Sequence, residues 1–224
     1  KRMQRIFDLI FSFFALSILL PLLLVIILIL SFTGEREIFY LQKRVGKNKK
    51  SFKLIKFATM VKNSPNIGSG TITLKDDPRV LPFGKFLRKT KINELPQLIN
   101  VLKGDMSFIG PRPLTNETFN YYQSPVQEKI SKVRPGLSGI GSIFFRNEEN
   151  LLTENNHDNY SKLIAPYKGS IEVWYVENRS LHVYFLCIFL TIFAVLFSKF
   201  KFPHYLFKGI PSPPTDLIKL IDDR

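Results

Sequence analysis

From Leu9 to Phe32 the chain carries no charged side chain, and Leu, Ile, Phe and Val dominate the run. A helix needs about 20 apolar residues to span a hydrocarbon core of about 30 Å, so this stretch is long enough to enter a bilayer. It is too long for the apolar region of a cleaved signal peptide, and no small-x-small cleavage site follows it. Lys1, Arg2 and Arg5 precede the run, while Arg36, Lys43, Arg44, Lys47, Lys49 and Lys50 follow it. A simple spanning helix is usually asymmetric in Lys and Arg; two basic flanks favour the same, cytoplasmic side and so a segment that enters and returns. Pro21 lies near the middle, removes a backbone donor and leaves the Ser17 carbonyl without its partner, which predicts a kink there. The Ser17 hydroxyl is placed to help satisfy the freed groups. The residues alone leave two readings, a kinked single-pass helix and a re-entrant hairpin.

A second apolar stretch, Leu181 to Ser198, is interrupted only by His182 and ends at Lys199 and Lys201. Its length fits a short span, a buried helix or an interfacial helix; an interfacial or membrane-facing helix is the preferred reading, because a true span would export the tail that contains Pro211-Ser212-Pro213-Pro214. These two stretches divide the chain into a membrane segment (1–33), a mixed domain (34–180), and an apolar helix with a tail (181–224).

Thirty-two Lys and Arg against eighteen Asp and Glu give a formal charge of +14, so the expected partners are anionic: lipid headgroups or phosphorylated substrates. Nucleic acid would also suit that charge, but it leaves the apolar run without a purpose, and no interleaved basic-aromatic binding motif is present. The single cysteine, Cys187, lies among apolar residues, excludes an intrachain disulfide and reads as a packing residue. No Walker, dinucleotide-binding or zinc spacing occurs, and His157, His182 and His204 carry no metal pattern.

Within the middle domain, Glu37 to Gln42 and Phe52 to Phe57 read as a β-hairpin around the Gly46-Lys47-Asn48 turn. Half of positions 43 to 56 are Lys or Arg, which is either a membrane-pressing surface or a solvated basic face. Asn63 to Thr71 is rich in Asn, Ser, Gly and Pro and reads as a mobile loop that could act as a substrate lid. Asp77-Pro78-Arg79 begins a turn, Phe83 to Arg88 opens a basic element, and Glu94 to Leu102 has helical apolar spacing with Pro96 in its first turn.

The densest run of chemistry-bearing residues is Leu87-Arg88-Lys89-Thr90-Lys91-Ile92-Asn93-Glu94-Leu95-Pro96, followed by Gly104-Asp105-Met106-Ser107-Phe108-Ile109-Gly110-Pro111-Arg112-Pro113. With Lys56-Phe57-Ala58-Thr59-Met60, Val133-Arg134-Pro135-Gly136 and Trp174-Tyr175-Val176-Glu177-Asn178, these motifs resemble the monotopic phosphoglycosyl transferases. Those bacterial enzymes initiate glycan assembly on undecaprenyl phosphate. The resemblance covers most of the chain and implies a mixed α/β fold. A re-entrant helix-break-helix would penetrate one leaflet of the bacterial inner membrane, and a small domain of helices and a short β-hairpin would lie on its cytoplasmic face. It thereby tips the topology toward the hairpin.

It further implies a nucleoside diphosphate sugar donor, a polyprenyl phosphate acceptor and magnesium. In that family an Asp-Glu pair does the chemistry, the aspartate attacking the β-phosphate to give a phosphosugar-enzyme intermediate. Here the matching pair is Asn93-Glu94, and a neutral carboxamide is a poor nucleophile. An engineered change, a natural variant with another route and a catalytically silent relative all account for it. In an active variant, Glu94 serves as base, metal ligand or nucleophile. The resemblance places Arg88 and Arg146 at the phosphates; Arg112, stiffened between two prolines, suits bidentate phosphate binding on its own chemistry. Glu94 is the expected magnesium ligand. Asp105 is a weaker metal candidate and reads rather as a cap or turn residue. Two further departures from the family pattern are Tyr184, where relatives often carry aspartate, and Leu20 before Pro21, where many carry serine.

Overall fold

The computed structural model describes residues 2–68, 76–146, 160–197 and 206–222. His157, His204 and the end of the Asn63–Thr71 loop lie outside the described residues. Helix α1 (Arg2–Phe32) runs through Pro21 as one element rather than as two helices with a break between them. The Ser17 hydroxyl donates to the Phe13 carbonyl one turn back (2.9 Å), so it does not serve the carbonyl that Pro21 leaves unpaired.

Both ends of α1 are fastened to one domain. Near its start, Arg5 donates to the carbonyls of Val101 (2.5 Å) and Leu102 (2.9 Å), which close helix α3 (Gln97–Lys103). Asp8 is 2 % exposed. Its Oδ1 accepts from the Ser107 hydroxyl and the Phe108 N–H, both at 3.0 Å, in strand β3 (Ser107–Ile109). Near its other end, Leu23, Ile26 and Leu30 are buried against Phe57 and Leu87. Between these anchors Phe13, Phe14 and Ile18 are 61, 59 and 75 % exposed, an apolar surface that is costly to leave in water.

The hairpin forms as its alternation predicts. Strands β1 (Phe39–Val45) and β2 (Ser51–Phe57) pair antiparallel with Tyr40 opposite Lys56 and Arg44 opposite Phe52. The Asn100 side chain satisfies the outer edge of β2, accepting from Ile55 N–H and donating to the Lys53 carbonyl. Helix α2 (Pro82–Lys89) starts on a proline, where a missing N–H costs nothing. The predicted 94–102 helix begins later, at Gln97. Pro96 takes the N-cap position, and Ile92–Glu94 forms a separate one-turn 3-10 helix. Arg79 grips Asp77 through two parallel hydrogen bonds (2.9 and 2.6 Å) and donates to the carbonyls of Ser64 and Ile67 (both 2.8 Å). The described part of the expected mobile loop is therefore pinned rather than free.

The remaining core gathers short elements. Two small helices, α4 (Asn116–Phe119) and α5 (Ser124–Ser131), lead to strand β4 (Gly136–Ser138), which pairs parallel with β3. Gly136 permits this approach: a Cβ there would lie 2.1 Å from the Gly110 nitrogen. Helix α6 (Ile140–Phe144) follows, and α7 (Ala165–Glu177) runs through the core with Ile171, Trp174 and Tyr175 buried. Helix α8 (Leu181–Leu196) buries Tyr184, Cys187, Leu190 and Ala194 while exposing Phe185, Phe189, Ile192 and Val195. At about 24 Å it is short for a bilayer core. Its one-sided exposure is what an interfacial helix would show. Helix α9 (Thr215–Asp222) closes the described chain.

Candidate active site

The Ile92–Glu94 turn divides its side chains by polarity. Ile92 and Leu95 pack into the cluster around Leu23, Ile26 and Leu30 of α1, while Asn93 and Glu94 line a cavity of about 300 Å³. Lys91, just before the turn, has left-handed backbone (φ 60°), an uncommon and costly state for a side chain with a Cβ. The dyad therefore sits on a sharply bent segment one residue away from the surface that holds the apolar helix.

Five cations surround Glu94 in that cavity: Arg44, Lys56, Arg88, Lys91 and Arg112. A further pair on the rim, Lys62 and Glu37, is joined at 2.8 Å. Lys56 reaches Glu94 at 3.3 Å, both side chains being about four-fifths buried. Burial would push the Glu94 carboxyl up, but Lys56, Arg112 and Lys91 together outweigh it and bring it down to about 2. Lys56 is lowered to about 8, chiefly by burial and despite Glu94, with Arg44 and Arg112 pressing in the same direction as burial. Arg44 falls to about 10 through burial and then through Arg112. Asn93 is 6 % exposed, and its Oδ1 has no hydrogen-bond partner. A buried acceptor left in this state is expensive unless something else binds it.

Arg112 stands on a loop clamped from four directions. Gly136 N–H donates to the Pro111 carbonyl (2.8 Å), Val45 N–H to that of Leu114 (2.9 Å), and Arg44 to that of Pro113 (3.0 Å). The Arg112 N–H itself donates to Glu172 Oε1 (3.2 Å). Glu172 is 1 % exposed, with its second oxygen unpartnered, and burial raises its carboxyl to about 7 against the opposing pull of the Arg112 N–H and Lys168. The proline-flanked sequence thus becomes a rigid arm, as phosphate recognition needs.

Of the residues expected from sequence, Asn93, Glu94, Arg88 and Arg112 meet in this cavity. Arg146 is not among the residues that line it; it follows Phe145, whose ring is buried against Tyr167. Asp105 is also outside it and accepts from Asn100 (3.3 Å), in keeping with a turn role. Arg44 and Lys56, grouped by sequence with the basic hairpin surface, instead turn inward with Tyr40 and Gln42. Period-2 alternation was the available signal: Tyr40, Gln42 and Arg44 share one face of β1, and the register puts Lys56 on it. Glu172 and Asp8 had no signal beyond a charge in an apolar segment. No group of three or more His, Cys, Asp or Glu side chains suited to a metal occurs among the described residues.

A sequence model described as bacterial sugar transferase matches residues 1–198. The chain belongs to that family. Its similarity extends to the exopolysaccharide production protein ExoY of Sinorhizobium fredii (strain NBRC 101917 / NGR234), 33 % identical over 210 residues that cover 88 % of this chain and 86 % of that protein. The UDP-galactose-lipid carrier transferase of Erwinia amylovora is 33 % identical over 208 residues, covering 87 % of this chain and 40 % of that protein. The undecaprenyl-phosphate galactose phosphotransferase of Salmonella typhimurium is 32 % identical over 208 residues, with 87 % and 40 % covered. The chain is thus a bacterial sugar transferase matching most of one relative and two fifths of each of two longer ones.

Proposed function

We propose that the chain transfers a phosphosugar from a nucleoside diphosphate sugar to a polyprenyl phosphate at the cytoplasmic face of the bacterial inner membrane, initiating glycan or exopolysaccharide assembly. The observation that carries this reading is the cavity in which Arg44, Lys56, Arg88, Lys91 and Arg112 converge around Glu94, beside the apolar helix. Phosphoryl transfer depends on positioning and on neutralising charge spread over several oxygens, which such a cavity supplies. Two relatives, a UDP-galactose-lipid carrier transferase and an undecaprenyl-phosphate galactose phosphotransferase, support the two substrate classes.

The anchoring of α1 at Arg5 and Asp8 and again at Leu23 to Leu30 supports a re-entrant helix. Both anchors lie on one domain, so the exposed middle enters a leaflet and the chain returns to the side it left.

Asn93 cannot attack phosphorus, and a carboxylate held near 2 is a weak base, since general bases work best near the operating pH. The acceptor phosphate is already an anion and needs no base. Its oxygen attacks the β-phosphorus directly and forms the new P–O bond. The bond from that phosphorus to the bridging oxygen breaks, and the electron pair leaves with the nucleoside monophosphate. Arg112 and Arg88 hold the diphosphate, and the Lys56 ammonium neutralises charge on the transferring group. The donor set fits magnesium held mainly by substrate phosphates: Glu94 and the unpartnered Asn93 Oδ1 would hold it, and it would offset the diphosphate charge.

A second reading, a silent relative that binds these substrates without turnover, is favoured by Asn93 alone. Release of nucleoside monophosphate from a panel of nucleotide sugars, with and without polyprenyl phosphate, separates the two. Acceptor-dependent release that Arg112→Ala abolishes supports transfer. No release from any donor, with Asn93→Asp restoring it, supports the silent relative.

A further inference from the structure

A second cavity, of about 340 Å³, shares no lining residue with the transfer site. Arg5, Lys47, Lys132, Arg134 and Arg179 bring five cations to it, against the single carboxylate of Asp8. Asp8 is already engaged: its Oδ1 accepts from Ser107, Phe108 and Tyr184. Arg5 and Arg134 are fixed side by side at the end of α3, Arg5 on the carbonyls of Val101 and Leu102 and Arg134 on that of Gly104 (2.6 Å). Their placement is explained by closing that helix. Arg179 is not so explained. The residue lines the cavity, and its Nε is buried without a hydrogen-bond partner, so no contact among the described residues accounts for the guanidinium. Lys47 and Lys132 are exposed at the rim.

The position of the cavity selects the anion. Arg5 lies among Met3, Ile6 and Leu9 of the exposed apolar surface of α1, and Arg179 precedes Leu181 and Phe185, where that of α8 begins. Arg5 thus lies within one helical turn of the apolar face of α1 and Arg179 within one turn of that of α8, which would bring this cavity to headgroup level once those faces enter a leaflet. Near an anionic leaflet each Lys or Arg adds appreciably to binding.

We propose that this cavity is a headgroup site for an anionic phospholipid, its phosphodiester held by Arg179 with Lys132 and Lys47 at the rim. The proposal rests on the reading of α1 and α8 as bilayer-facing. Its role is to fix the rotation of the domain on the membrane, so that the transfer cavity faces the lipid carrier.

The test is lipid binding to the full chain in detergent micelles, read by native mass spectrometry. Phosphatidylglycerol and phosphatidylcholine with identical acyl chains are titrated, and glycerol phosphate serves as the soluble arm. Phosphatidylglycerol should bind about tenfold tighter than phosphatidylcholine. Lys132→Ala combined with Arg179→Ala should remove that preference while leaving phosphatidylcholine binding unchanged. Lys132→Arg with Arg179→Lys should retain it, which separates charge from folding. Equal binding of the two lipids, or an undiminished preference in the double alanine variant, overturns the proposal. Glycerol phosphate binding as tightly as phosphatidylglycerol overturns it as well, because the anion would then be soluble. Arg112→Ala should lose turnover and keep the lipid preference, so failure of the transfer reading shows in turnover alone.

Discussion

The Tyr184 hydroxyl donates to Asp8 Oδ1 at 2.9 Å, joining α8 to α1 across 176 residues of sequence. The same oxygen takes the Ser107 hydroxyl and the Phe108 N–H, so one buried carboxylate ties both apolar helices to the β3 strand. Tyr184→Phe removes one of three donors and should lower stability by about 1–2 kcal/mol. Asp8→Ala strands all three donors and should cost about 3 kcal/mol or more. Chemical denaturation in micelles reads the difference; equal effects of the two substitutions would contradict the shared role of Asp8.

Lys56 should set the alkaline limit of donor binding. Its ammonium, lowered from 10.5 to about 8, is lost as pH rises through about 8, and the cavity then loses a cation facing an anionic donor. KM for the nucleotide sugar should climb above that pH, and Lys56→Arg should flatten the rise because a guanidinium stays charged. Glu94 contributes no limb in this range. Its folded value near 2 lies below the ordinary 4.5, so the stability it provides is present above about 4.5 and is lost only as pH falls toward 2.

Glu172 behaves in the opposite sense. Its carboxyl is raised from 4.5 to about 7, so the folded state retains a proton that the unfolded chain has released. Its contribution to stability therefore falls as pH rises from about 4.5 through 7. Glu172→Gln keeps an acceptor for the Arg112 N–H and should raise stability at pH 8 by about 1–3 kcal/mol with little change in turnover. Glu172→Leu removes that acceptor and should raise KM through Arg112. Thermal unfolding across pH, paired with kinetics, checks both.

A helix anchored twice to one domain should present both flanks on one side of the membrane. Cys187 is fully buried and is the only cysteine, so it gives a quiet background for labelling. Arg2→Cys and Glu35→Cys should both react with an impermeant maleimide in inverted vesicles and neither in right-side-out vesicles. Labelling of the two from opposite sides would establish a single-pass helix instead.

Elements with a strong local pattern are legible in the sequence. The uncharged run gave α1, the alternation on either side of Gly46 gave the hairpin, and the Asn-Glu and Gly-Pro-Arg-Pro motifs led to one cavity. What escaped depended on partners distant in sequence. Arg44 and Lys56 look like surface charges until the strand register assigns them a face. Glu172 is an ordinary helical glutamate until α7 is packed under the Arg112 loop. Asp8 adjoins the apolar run and gains meaning only from Ser107 and Tyr184, about 100 and 176 residues away. Helix α3 starts three residues later than the spacing predicts because Leu95 keeps the helical spacing of Leu98 and Leu102 while it closes the Ile92–Glu94 3-10 turn.

The central claim is that the β-phosphate moves with its sugar to a lipid phosphate. A nucleotide sugar labelled separately in the β-phosphate and in the sugar, incubated with the full chain in nanodiscs containing polyprenyl phosphate, tests it most directly. Both labels should enter the organic phase in equal amounts, and neither should do so with Arg112→Ala. Sugar label extracted without the β-phosphate, or both labels left wholly in the aqueous phase, would contradict the account.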